Sequence, residues 1–216
     1  MLDSYEALIP EYISKEDFFR YGVEKSIYVP DEKVALEWKK LKEKINSNKP
    51  LFIRGQKESS ANHLFFDFYA KIINNDQVSK DPSNTQSPAK TIEALTGLKK
   101  SKDLRNYQLS SIFGRGRNIY CFTAPWNLVY IPKILDPLMS DEARGDLALE
   151  FQTYFKEHAI KKFKPYIDEF NKMVTDRHFL QSIDDHCKRL YENHLHDRNA
   201  IVQFETRIHE EFAPIQ

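Results

Sequence analysis

The chain has 216 residues, 41% hydrophobic and 13% aromatic, with 32 basic side chains (Lys and Arg) against 32 acidic ones. That length and apolar content exclude a disordered chain and suffice for one domain with a buried core. The balanced charge speaks neither for nor against nucleic acid, because a binding face needs only a local basic cluster. Cys121 and Cys187 are far apart and form no CxxC pair, which fits a reducing compartment and gives no zinc knuckle. No apolar run of about 18 residues is present, so no membrane span is expected. The start MLDSYEALIPEY lacks a basic and then apolar leader pattern, and the expected compartment is the cytoplasm.

Ser14 with Asp17 predicts a capped helix carrying Phe18 and Phe19 and stopping at Gly22. Pro30-Asp31 opens a second helix, with Val34, Trp38, Leu41 and Ile45 on one face and Asn46-Ser47-Asn48 at its end. LFIRG after Pro50 reads as a short strand. Residues 62–74 have helical period through Leu64, Phe65, Phe68, Ile72 and Ile73. Residues 75–90 are polar and proline-punctuated, hence a loop. Ser87-Pro88 then caps a short helix, TIEAL, ending at Gly97.

Tyr107 to Phe113 has strand composition, as do Ile119 to Phe122 and Leu128 to Ile131, with the loop Gly114-Arg115-Gly116-Arg117-Asn118 between. Ser140, with acidic residues behind it, predicts a helix start. Leu147 to Phe163 continues that helix, Pro165 breaks it and Tyr166 to Met173 resumes it. Thr175 to Phe212 reads as one or two amphipathic helices. The expected class is α+β, mostly helical with a small central strand element, in a single domain over 1–216. Within it, 1–100 is a helical part with contact loops, 101–175 the strand-containing core and 176–216 a helical extension.

The segments YQLSSIFGRGRN, FTAPWNLVYIPKILDP and SDEARG resemble the ββα-metal core of HNH restriction endonucleases of the kind that cut CATG. DPSNTQSPAKTIEALTG and GLKKSK have the same flavour, so the likeness covers roughly residues 50–175. Phosphodiester hydrolysis needs an activated water, a cation against the developing charge and a proton for the leaving oxygen. The resemblance implies that a hairpin and the following helix supply these, with a histidine as base, an asparagine orienting it and a bound Mg²⁺ or Mn²⁺.

Carried over by position, Ser111 stands where the family has its histidine, Asn127 matches its asparagine and Asp141 replaces a second histidine. Asp136 is a nearby acid, so Asp136 and Asp141 are the implied metal ligands. Serine has no useful basicity at neutral pH, and losing a general base costs about 10² to 10⁴ in rate. Asp141 is a milder change, because carboxylate suits a hard cation. The implied DNA contacts are Arg54, Gln56, Arg115, Arg117 and Lys133. Arginine and glutamine can bond base edges bidentately, and basic loops meet phosphates. The implied partner is double-stranded DNA with a short palindromic site, bound by a homodimer for which Trp38 and the C-terminal helices are candidate surfaces.

Each residue also has a plain reading. Asn127 and Asp136 are ordinary turn residues, Ser140 and Asp141 ordinary helix-start residues, and the basic run with Lys99, Lys100, Lys102 and Arg105 a solvated loop. Asp184-Asp185-His186 and His194-Leu195-His196-Asp197 contain metal-ligand types but sit among charged neighbours that suit a surface. Two other functions stay open: a DNA-binding protein without catalysis, favoured by Ser111, and a helical interaction protein, favoured by residues 175–212.

Overall fold

The computed structural model describes residues 4–9, 11–55, 60–140, 143–193 and 197–216. The fold is mixed α and β and mostly helical, as the periodicity predicts. After the short α1 (Ser4–Leu8), α2 (Lys15–Glu24) begins at Ser14, whose hydroxyl accepts the Asp17 N–H at 3.1 Å. Gly22 is not its stop. A Cβ there would lie 2.7 Å from the Phe151 ring, so the glycine lets α2 approach the long helix α7 (Asp146–Val174). The strand β1 (Ile27–Tyr28) follows, a pair too short to stand out in sequence.

Helix α3 (Asp31–Asn46) buries Val34, Trp38, Leu41 and Ile45, the predicted stripe. Trp38 meets Trp126 edge to face at 5.5 Å and donates to Glu169 at 2.6 Å. It is 2% exposed, which removes it from the candidate dimer surfaces. Next come β2 (Leu51–Ile53), α4 (Ser60–Ile72) and β3 (Val78–Lys80). β3 lies inside the stretch predicted as a loop and pairs with β2 in parallel, Leu51 opposite Val78. Just after it, the buried Asp81 accepts the N–H groups of Gln86 and Ser87 at 3.0 and 2.8 Å. Asp81 thus takes the capping role predicted for Ser87 at the start of α5 (Gln86–Thr96), which ends on left-handed Gly97 as expected.

β4 (Tyr107–Ser111) and β5 (Leu128–Pro132) are antiparallel, with Ser111 opposite Leu128 and Tyr107 opposite Pro132. β1 covers the other edge of β5, giving the order β1-β5-β4. Ile119 to Phe122 is not a strand. Its apolar side chains are buried in successive turns of the β4–β5 connection. After β5 come a 3-10 turn (Lys133–Leu135) and α6 (Asp136–Met139). α7 begins at Asp146, later than predicted, with Gly145 before it at φ 93°. Pro165 leaves a kink in α7, where Phe163 departs from helical geometry. α8 (Arg177–Glu192) and α9 (Arg198–Glu211) complete the chain of elements. Their apolar faces pack inward: Phe204 of α9 lies 5.1 Å from Phe65 of α4, and Ile183, Leu190, Ile201 and Ile208 are buried. Leu180 of α8 and Val202 of α9 stay exposed. No helix among the described residues is long and apolar enough to cross a membrane.

Candidate functional site

A cleft of about 1000 Å³ opens between β4, the β4–β5 connection, α6 and the end of α9. It gathers Arg54, Ser111, Arg115, Arg117 and Asp136, five of the residues singled out in the sequence, and adds Arg207, Glu210 and Glu211. The cleft is polar and basic at its α9 end. A more open depression of about 540 Å³ between α8 and α9, lined by Asp184, Lys188, Tyr191, Glu192 and Glu205, brings none of them together.

The connection over residues 112–127 is built on two buried asparagines. Asn127 accepts the Phe113 N–H at 2.9 Å and donates to the carbonyls of Gly114 at 3.1 Å and Cys121 at 2.9 Å. Its side chain is fully buried and occupied by main-chain partners. It therefore holds the loop from below the cleft, through the Phe113 N–H and the Gly114 and Cys121 carbonyls. Asn118 accepts the Tyr120 N–H at 2.8 Å and donates to the Glu211 carbonyl at 2.7 Å. Trp126-Asn127 is thus a core indole followed by a loop clamp.

The basic residues of that loop divide in role. Arg115, held at φ 58°, donates to the main-chain carbonyls of Glu210 at 2.5 Å, Glu211 at 2.9 Å and Pro214 at 3.3 Å. These carbonyls have no further helical turn to bond, so Arg115 closes the end of α9 from the cleft wall. Arg117 is 8% exposed, lies 5.0 Å from the Phe65 ring and gives its main-chain N–H to the Glu211 carboxylate at 3.2 Å. Arg54, at the end of β2, donates its N–H to the Gly116 carbonyl at 2.7 Å, and its side chain crosses that glycine. A Cβ on residue 116 would come within 3.1 Å of Arg54, so this position needs to be small.

Lys133 lies elsewhere. Its N–H bonds the Asn106 carbonyl at 2.7 Å, at the opposite end of the hairpin from Ser111, about 17 Å away along the strand. Lys100 is at that same end, bonded to Gln108 at 2.7 Å. Asp141 and Gln56 lie outside the described residues, as do His194 and His196. His186 is buried against Phe68 and Phe204, and Asp197 caps α9. Among the described residues no group of three or more His, Cys, Asp or Glu side chains is placed to hold a metal ion. Asp136 lines the cleft, while Asp141, the other implied ligand, lies outside the described residues.

Glu211 was not legible as a site residue. It is 6% exposed, and burial pushes its carboxyl up to about 7, against the opposing pull of the Arg117 N–H and of Arg207, Arg115 and Arg117. In sequence it is one acid among several on a polar helix. Only the packing of α9 against the connection puts it in the cleft.

No solved structure matches the chain. A protein of Pasteurella multocida (strain Pm70), named "Uncharacterized protein PM1201", is 36% identical over 164 residues, covering 75% of this chain and 74% of its own length. The family model described as "Uncharacterised protein PM1201" matches residues 29–216, which takes in β2 to β5, the cleft and α9. The chain belongs to that family.

Proposed function

We propose that the chain binds double-stranded DNA along this cleft, on a scaffold akin to HNH restriction endonucleases, two copies reading a short palindromic site. The observation that carries the reading is the convergence of Arg54 and Arg117 on the cleft that also holds Ser111 and Asp136. Arginine forks suit phosphate geometry, and a concave basic surface concentrates counter-charge. Ser111 offers a hydrogen bond and no base, so binding without cleavage is the first reading.

Cleavage with Mg²⁺ or Mn²⁺ is the second, and Glu211 favours it: a carboxyl titrating near neutrality can take a proton at working pH. Incubation with CATG-containing plasmid in Mg²⁺, Mn²⁺ or chelator separates the two. A salt-sensitive gel shift of intact plasmid supports binding, with a slope that falls by about 0.9 for each phosphate contact removed. Discrete metal-dependent fragments support cleavage. Absence of any shift at low salt overturns both. A single copy bound to a palindromic duplex, measured by ultracentrifugation at micromolar protein, overturns the dimer.

A further inference from the structure

We propose that Arg54, Arg117 and Arg207, reaching the cleft from β2, the β4–β5 connection and α9, form one phosphate-binding subsite. The inference rests on reading the cleft as a phosphate-facing surface and assigns to α9 a direct part in it. Three observations carry it. Neither the Arg54 nor the Arg117 guanidinium has a hydrogen bond or ion pair to a described carboxylate, and among the described residues the acid paired with Arg207 is Glu210, at 2.9 Å in an exposed pair. Burial first, then the positive charge of Arg207 and, less, that of Arg54 work against the charge on Arg117, with Glu211 and Tyr69 opposing them in part. Those arginines therefore sit within electrostatic reach of one another around a partly desolvated cation. The Arg54 side chain is held across Gly116, where no Cβ intervenes. An oxyanion with several acceptor oxygens relieves this mutual repulsion and accepts from all three forks, whereas a monovalent halide cannot.

Glu211 gives the subsite a second property. It faces Arg207 on its own helix, Arg115 and Arg117 from the connection, Cys121 from the connection and Tyr69 from α4. A bound dianion adds negative charge beside this buried carboxyl, so binding is accompanied by proton uptake at Glu211 and weakens as pH rises.

The test is calorimetric titration of the full chain with sodium sulfate, whose charge is constant from pH 6 to 8, with inorganic phosphate, and with a short DNA duplex. Arg54→Gln and Arg207→Gln are on exposed side chains, and unchanged circular dichroism verifies their fold. The expected result is saturable sulfate and phosphate binding, weakened about tenfold by either variant. Sulfate binding should be tighter at pH 6 than at pH 8, and the difference should vanish in Glu211→Gln. Sulfate binding unchanged in both arginine variants overturns the subsite, even where DNA still binds. Sulfate affinity equal at pH 6 and 8 overturns the role given to Glu211. Loss of DNA binding with the sulfate site intact overturns the DNA reading and leaves the subsite as one for a free phosphate or phosphomonoester.

Discussion

The main-chain N–H of Arg117 donates to the carboxylate of Glu211 at 3.2 Å, joining the β4–β5 connection to the last turn of α9. The bond sits in a buried setting, and the carboxyl is raised from 4.5 to about 7 chiefly by desolvation. The native state therefore holds a proton on Glu211 between those two values when the unfolded chain has lost it. Stability from this group is fully present below about 4.5 and is lost as pH rises through about 7. Glu211→Gln should gain on the parent by about 3 kcal/mol between pH 5 and pH 8. Urea unfolding of both proteins across that range checks it. A gap independent of pH would remove Glu211 from the account.

His186 has the opposite sign. It is 2% exposed, its Nε2 has no hydrogen-bond partner, and the nearest carboxylate oxygen, on Asp67, is 3.8 Å away. Burial lowers its pKa from 6.5, and Asp67 only partly opposes this. The unfolded chain takes up a proton below 6.5 that the folded chain resists, so stability is lost as pH falls through that region. His186→Leu should flatten the acid side of the pH–stability curve. Thermal unfolding of both proteins between pH 7 and 5 tests this, and parallel curves would contradict it.

Asn127→Ala should destabilise the fold by about 3 kcal/mol, because it leaves the Phe113 N–H and the Gly114 and Cys121 carbonyls without their partner. Chemical denaturation gives the magnitude. Amide exchange should locate the loosening in residues 112–127. A loss confined to activity, with stability unchanged, would restore Asn127 as a chemical group.

Gly22→Ala tests the contact between α2 and α7. Alanine favours the helix by about 1 kcal/mol. Its methyl, however, would lie 2.7 Å from Phe151, a ring with no exposure. Overpacking of a filled core costs about 1–3 kcal/mol, so a net loss is expected. A higher melting temperature would show that Phe151 has room to move.

Local signals carried well where the cause was local. The Ser14 cap, the Val34–Ile45 stripe and the Gly97 stop rest on neighbours within a few residues, and each is found as predicted. β1 and β3 were missed because two or three residues leave no period to detect, and their pairing with β5 and β2 is tertiary. Ile119–Phe122 misled because buried turns and strands share an apolar composition. The cleft itself was half legible. Arg54, Ser111, Arg117 and Asp136 do meet there, while Arg115 closes α9, Lys133 lies at the hairpin's other end, and Arg207 and Glu211 come from a helix that reads as plain surface.

The clamp between the connection and α9 also fixes an order of events in the life of the chain. Translation produces Asn118 and Arg115 long before the carbonyls of Glu210 and Glu211 that hold them. Until α9 leaves the ribosome, the strands can pair but the basic loop has no anchor. A nascent chain halted before Arg198 thus carries every arginine of the loop without the wall that shapes the cleft. The cleft is completed only when synthesis has passed α9.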